Sequence, residues 1–289
     1  ILGHESLGRV VEAPSGSKFK KGDLIVGFVR RPDPVPCPNC ARGEWDMCRN
    51  GLFQERGIKE LNGYASERYR VEDNYALKLD PKLLNVGVLI EPTSVVAKAW
   101  EQIFKISARS VVPPTRALVT GAGPVGLLAA MIGIQKGLEV HVLDRMKEGP
   151  KPELVKALGA HYHSDQQDFK DQGLEFDITL ECTGAPELIF KLFSQISADG
   201  ILCLAGVSSG GRDFPTDIGK LNLNIVLQNE LIFGSVNANR RHYEQAADAL
   251  MKADIGWLEK IITRKVPFAQ WEKAFQKEKS DIKVVLTPN

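Results

Sequence analysis

The sequence predicts an α/β protein in two parts, an irregular β domain followed by a doubly wound parallel sheet. Three observations carry this. Residues 1–90 are short apolar runs broken by Gly, Pro and Asp, the pattern of short strands joined by turns. From residue 116 onward, apolar strand-like runs alternate with helical ones, which implies a parallel sheet covered on both faces. The first strand-to-helix junction of that series is a Gly-x-Gly-x-x-Gly turn.

The elements follow in order. Residues 8–12, 23–27 and 64–69 are the clearest strands of the front part. Between residues 91 and 105, Val95, Val96, Ala99 and Ile103 recur at helical spacing. Residues 116–120 form a strand, 127–136 a small-residue helix closed by Gly137, and 138–143 a second strand. Residues 155–160 close another helix, 176–180 and 200–205 are strands, and a helix runs from 243 to 252. Residues 261–286 mix short strand and helix signals and return to the first domain. The expected division is 1–90, 91–254 and 255–289.

Composition excludes several classes. The 289 residues are 43% hydrophobic and 25% charged, enough to bury a core. Lys and Arg number 37 against 36 Asp and Glu, and no basic stripe suggests nucleic acid. No apolar run reaches the roughly 18 residues that span a bilayer, and nothing resembles a cleavable signal. Of five cysteines, Cys37, Cys40 and Cys48 lie close together while Cys182 and Cys203 sit in apolar runs. This is not a disulfide framework, and reduced thiols in a cytoplasmic protein are expected. Ile1-Leu2-Gly3-His4-Glu5 opens without Met inside a strand-like run, so an upstream segment is expected.

Gly121-Ala122-Gly123-Pro124-Val125-Gly126 follows an apolar strand and opens a helix. In that context Gly121 permits the tight turn, Gly123 lets backbone approach a pyrophosphate, and Gly126 allows close helix–strand packing. Pro124 and Val125 complete the turn that leads into the helix, whose N-terminal N–H groups and dipole favour an anion. The unit is a Rossmann fingerprint. Asp144, near the end of the second strand, suits the ribose hydroxyls of NAD and repels a 2′-phosphate. Arg145 beside it would bind that phosphate. NAD is favoured and NADP use stays open.

The order of motifs resembles the zinc-dependent medium-chain dehydrogenases, and within them the glucose (aldose) 1-dehydrogenase branch. The resemblance rests on Gly3-His4-Glu5, Val29-Arg30-Arg31-Pro32, Gly43-Glu44-Trp45-Asp46-Met47-Cys48, Glu55-Arg56-Gly57-Ile58, Glu91-Pro92, the dinucleotide turn and Gly234-Ser235-Val236-Asn237. It implies a GroES-like catalytic domain, incomplete at its N-terminus, joined to the Rossmann domain. It also implies a catalytic Zn²⁺ held by His4, Glu5 and Glu91, with a further Cys or Asp ligand upstream of the chain. Imidazole and carboxylate donors suit that metal.

By the same resemblance Cys37, Cys40 and Cys48 match three of the four cysteines of a structural zinc lobe. Pro34 stands where the fourth would fall, and Asp33 or Asp46 could substitute there as an oxygen ligand. Glu55 would bind sugar hydroxyls, Glu91 would serve metal and sugar, and Asn237 would lie between sugar and nicotinamide. Ala205, Gly206, Val207, Ser235 and Val236 would contact the nicotinamide half of NAD or NADP. The implied reaction is hydride transfer from C1 of an aldose such as D-glucose, giving the lactone. Relatives are dimers or tetramers, commonly joined at the edge strand of the Rossmann sheet, which residues 229–234 resemble.

Two rivals differ in kind. One is a zinc dehydrogenase of polyols, threonine or simple alcohols, against which the Glu55-Arg56-Gly57-Ile58 run speaks. The other is a non-catalytic dinucleotide-binding relic, against which the retained His4, Glu5, Glu55 and Glu91 speak.

Overall fold

A computed structural model describes every residue except 165–168, 170–172, 212 and 289. The chain divides into two compact units, Ile1–Ala97 with Asn237–Asn289, and Lys98–Val236.

The first unit is built from short strands, as its broken apolar runs require. β1 (Gly8–Arg9), β2 (Leu24–Gly27), β3 (Arg30–Arg31), β4 (Gln54–Arg56), β5 (Glu60–Leu61) and β6 (Ala76–Lys78) fall into two small sheets, β1-β2-β6 and β3-β4-β5. β2 is buried along its whole length, and short 3₁₀ turns, two of them at Cys40–Arg42 and Trp45–Met47, fill the loops.

Residues 64–69, read above as a strand, are not one. The Tyr64 and Ala65 N–H groups donate to the Gly3 and Leu2 carbonyls at 2.7 and 3.0 Å, after which the chain bends. The Tyr64 and Tyr69 rings then pack 4.7 Å apart. Alternating apolar and polar residues here serve an aromatic contact rather than a pleated ladder.

Helix α1 (Ile90–Ser107) contributes its first turns to this unit. Val96, Ala99 and Ile103 are fully buried, as the helical spacing predicts.

The second unit carries β7 (Arg116–Thr120), α2 (Pro124–Gln135), β8 (Glu139–Leu143), α3 (Pro150–Ala157), β9 (His161–His163), β10 (Ile178–Glu181), α4 (Pro186–Leu192), β11 (Ile201–Leu204), α5 (Ile218–Leu227) and β12 (Leu231–Gly234). Its strands form one parallel sheet in the order β12-β11-β10-β7-β8-β9. The order reverses between β10 and β7, and in such sheets ligands bind beyond the carboxyl ends of the strands at that point. β7 and β10 are almost wholly buried, as strands covered on both faces must be. Leu118, Phe169, Phe176, Leu192 and Leu202 form a core cluster in this unit.

The chain then returns to the first unit through α6 (Arg240–Lys252), α7 (Ile255–Ile261), β13 (Ile262–Pro267) and β14 (Lys283–Thr287), the last two pairing in parallel. α6 belongs with the first unit because its Tyr243 ring lies 4.5 Å from Phe28 and its hydroxyl accepts from the Val29 N–H. The Rossmann sheet and the irregular β unit are therefore both present.

Candidate functional site

In the first unit, three groups expected to hold a metal converge. His4, Glu5 and Glu91 each present a donor atom within 4.8 Å of the others. His4 Nε2 lies 4.0 Å from a Glu91 oxygen. His4 follows Gly3, whose backbone is gripped by the Tyr64 N–H and approached so closely by Gly57 that a Cβ there would fall 2.6 Å from the Gly3 carbonyl oxygen. The Glu55-Arg56-Gly57 run therefore packs directly on the backbone that carries His4. Glu91 arrives separately, on the first turn of α1.

The charges are crowded. Burial, then Glu5, then Glu55 push the Glu91 carboxyl up to about 8, although Lys283 opposes this. Lys283, on β14, forms an ion pair with Glu5. Two carboxylates held together at a cost, with an imidazole beside them, fit a divalent cation, which would reverse that cost.

Glu55 is buried in the same unit. β3 and β4 pair Arg30 with Glu55, and the Arg30 Nε donates to Glu55 Oε1 at 2.9 Å. The Arg30 guanidinium stacks 3.6 Å over Phe53 and donates to the Asp46 carbonyl. Asn237 Nδ2 donates to the same Glu55 oxygen at 2.5 Å. Asn237 adopts φ of +61°, a left-handed backbone that asparagine tolerates better than most residues. A carboxylate and an amide thus sit side by side, both able to bind hydroxyl groups.

Cys37, Cys40 and Cys48 bring their sulfurs within 4.8 Å of one another. The Arg49 and Cys40 N–H groups point at Cys37 Sγ and lower its thiol to about 6, while burial pushes Cys40 up to about 11. Neither Asp33 nor Asp46 joins this cluster. The Asp33 oxygens accept from the Val35 N–H and Asn50 Nδ2, and Asp46 Oδ1 accepts from Asn239 Nδ2. Both aspartates act in the loops around the thiols. Three sulfurs fit a metal, but the described residues supply no fourth ligand to the group.

The second unit holds the dinucleotide fingerprint. Gly121 has φ of +89° and donates to the Leu143 carbonyl. A Cβ on Gly126 would fall 1.8 Å from the Gly121 carbonyl oxygen, so no larger residue fits. A Cβ on Gly123 would meet nothing within 4 Å, and Gly123 caps α2. That open space before a helix N-terminus, followed by Pro124 and Val125, fits the pyrophosphate of a dinucleotide.

Asp144 follows β8. Its carboxylate accepts from the Ala122 N–H at 2.8 Å, the Met146 N–H at 3.1 Å and Lys151 Nζ at 3.1 Å. Burial alone would raise this carboxyl, but the Ala122 amide, Lys151 and the Met146 amide outweigh it and hold it below its ordinary value. Arg145 is exposed beside it. Sequence reasoning missed Lys151, a second cation seven residues beyond Asp144.

Ala205, Gly206 and Val207 extend from the carboxyl end of β11, and Ser235 and Val236 from that of β12. Val207 and Val236 are exposed. The Lys98 ammonium donates to the Val236 carbonyl at 2.9 Å. Glu181, fully buried at the end of β10, also escaped the sequence reading. Its carboxylate accepts from the Thr183 and Gly184 N–H groups, and its carbonyl accepts from Ala205 and Gly206. A Cβ on Gly206 would fall 2.2 Å from the Gly184 nitrogen, so Glu181 and two glycines fix these loops together. A Glu closing the apolar run Ile178-Thr179-Leu180 was the available signal.

Comparison with known proteins identifies the family and the fold. The family described as "Glucose dehydrogenase C-terminus" matches residues 84–287, and "Alcohol dehydrogenase GroES-like domain" matches residues 1–81. Glucose 1-dehydrogenase of Methanocella arvoryzae is 38% identical over 99% of this chain and 82% of its own length. Glucose 1-dehydrogenase of Thermoproteus tenax is 37% identical over 99% of this chain and 82% of its own. The structure of Haloferax mediterranei glucose dehydrogenase in complex with NADP, Zn and gluconolactone superposes with a TM-score of 0.91 at 30% identity, covering 100% of this chain and 83% of that one.

Proposed function

The chain belongs to the glucose 1-dehydrogenase family of zinc-binding medium-chain dehydrogenases, and we infer that it oxidises an aldose of the D-glucose type at C1 to its lactone, reducing NAD or NADP. The observation that carries this is the Glu55–Asn237 pair in the unit that also gathers His4, Glu5 and Glu91. Apolar alcohols need no such pair, whereas a polyhydroxylated substrate does.

His4, Glu5 and Glu91 would hold the catalytic zinc, which when bound supplies a Lewis acid for the substrate hydroxyl. Glu55 accepts hydrogen bonds from sugar hydroxyls, and Arg30 and Phe53 keep its carboxylate in place. Asn237 supplies a donor and an acceptor next to it. Gly121, Gly123, Pro124, Val125 and Gly126 cradle the pyrophosphate, Asp144 takes the ribose, and Arg145 or Lys151 takes a 2′-phosphate. Ala205, Gly206, Val207, Ser235 and Val236 line the nicotinamide half. Cys37, Cys40 and Cys48 would hold a second, structural zinc.

A substrate panel tests the reading: D-glucose, D-galactose, sorbitol, L-threonine and ethanol, each with NAD and with NADP. Turnover of aldoses is expected. Turnover of sorbitol, threonine or ethanol without aldoses would place the chain with the polyol or alcohol enzymes, and no turnover at all would favour the relic.

The partner of the folded unit is a second copy of the chain. β12 is an edge strand, and α5 exposes Ile218, Leu223, Val226 and Leu227. An edge strand beside an apolar helix face is a surface that self-pairing would cover. Sedimentation should show a dimer or tetramer that Val226→Asp disperses; an unchanged assembly in that variant would refute the interface. Among the described residues no helix is long and apolar enough to cross a membrane, and the thiols are free. Reduced thiols suit a cytoplasmic setting.

A further inference from the structure

The second unit gathers most of the chain's histidines on one face of its sheet. β8 and β9 run parallel, with His141 paired to His161 and Leu143 to His163. Side chains two apart on a strand share a face, so Glu139, His141, His161 and His163 all project together. β9 is the edge strand at the end of the sheet opposite β12.

We propose that Glu139, His141 and His161 form a binding site for a first-row divalent cation, with zinc as its probe, at this edge. Their donor atoms lie within 4.8 Å of one another. His141 Nε2 is 3.0 Å and His161 Nε2 is 3.8 Å from the same Glu139 oxygen, Oε1. Ligands of a tetrahedral zinc with ordinary bond lengths sit about 3.4 Å apart, and the two observed separations bracket that figure. The two imidazole nitrogens lie within 4.8 Å of each other, and their rings stack with centroids 4.6 Å apart, so closing the triangle needs His161, the exposed ligand, to turn toward the cation.

The surroundings orient each ligand. Arg116 Nε and Nη2 both reach Glu139 Oε2 at 3.0 Å, which turns Oε1 toward the imidazoles. His141 is buried, and its other ring nitrogen, Nδ1, lies 2.8 Å from His163 Nε2. When His141 Nδ1–H donates to His163, the Nε2 lone pair is freed for the cation, the outer-shell contact that metal-binding histidines ordinarily keep. His163 is held in turn by the edge of Phe169, and His141 by Phe176. His161 stands at the exposed rim with its side chain 60% accessible, which gives the cation a path in and leaves room for water as a further ligand.

Neutral imidazole with a carboxylate favours zinc, cobalt, nickel or copper over magnesium or calcium. A bound cation would tie the edge strand to β8 immediately before Asp144, whose N–H donates to the His163 carbonyl at 3.0 Å. The site is separate from His4, Glu5 and Glu91 and from the three cysteines, so it stands whether or not the aldose reading does.

The test uses the full chain, stripped of metal and titrated with Zn²⁺ while bound metal is counted and unfolding temperature followed. His161→Ala is the informative variant, because its exposed side chain contributes little to the fold. The expected result is one zinc equivalent fewer at saturation than the parent, or an affinity at least tenfold weaker for that equivalent, with the metal-free unfolding temperature unchanged. Glu139→Gln should lose the same equivalent. Identical zinc stoichiometry and affinity in the parent and His161→Ala would overturn the proposal.

Discussion

If Asp144 takes the cofactor's ribose, as proposed, cofactor preference turns on one carboxylate, and the effect of replacing it follows from its contacts. Asp144 sits between the Ala122 amide of the glycine turn and the Lys151 ammonium. A 2′-phosphate on the ribose that Asp144 takes would lie some ångströms from its negative charge. At about 5 Å and an effective dielectric of about 20, two unit charges repel by roughly 3 kcal/mol, and partial exposure moves this toward 1. Asp144→Asn removes the charge but keeps an oxygen that can accept from the Ala122 N–H, so the turn is not disturbed. It also releases Lys151, which joins Arg145 as a cation facing the phosphate. The kcat/KM ratio for NADP over NAD should therefore rise by roughly 5- to 150-fold.

Steady-state kinetics with both cofactors at saturating aldose reads this directly. An unchanged ratio, or a shift toward NAD, would refute the assignment of the ribose to Asp144. The same variant changes stability with pH. Because the folded carboxyl lies below its ordinary value of 3.8, it contributes stability that is fully present above that value and is lost as pH falls through the folded pKa. The parent should thus lose stability on acidification more steeply than Asp144→Asn. Parallel acid-unfolding profiles would show that the Ala122 and Lys151 contacts contribute nothing to that carboxylate.

Other expectations follow from the same contacts. His4→Ala should abolish aldose turnover while dinucleotide affinity, measured by fluorescence titration, stays within about twofold, the scatter of independent sites; unchanged turnover would remove His4 from the chemistry. Lys283→Gln should lower the unfolding temperature of the metal-free chain yet enlarge the rise that zinc produces, since Lys283 competes for Glu5. A smaller zinc-induced rise would mean that Lys283 supports the metal. Gly126→Ala, with its Cβ driven onto the Gly121 carbonyl, should cost about 1–3 kcal/mol or more and abolish dinucleotide binding; retained binding would mean the turn can move aside.

Much of the second unit was legible because its signals are local. A strand buried on both faces reads as a continuous apolar run, and a glycine turn reads as spaced glycines. β7 begins and ends where the run Arg116-Ala117-Leu118-Val119-Thr120 does. β9 escaped because His161-Tyr162-His163 carries no apolar alternation; its register comes from pairing with β8 across the intervening α3. α5 escaped for a related reason, since its exposed leucine and valine positions do not separate into an inward and an outward face within the chain.

The site divides along the same line. His4, Glu5 and Glu91 were readable from short motifs, but what surrounds them was not, because each partner is distant in sequence. Lys283 reaches Glu5 from near the other end of the chain, and Asn237 reaches Glu55 across 182 positions. Arg30 was visible as a motif residue, yet its grip on Glu55 depends on a cross-strand register that no spacing rule reveals. A motif names the donor atoms. How strongly those atoms resist carrying charge together, and so how much a cation gains by joining them, depends on partners such as Lys283 and Glu55 that only the folded chain brings near Glu91.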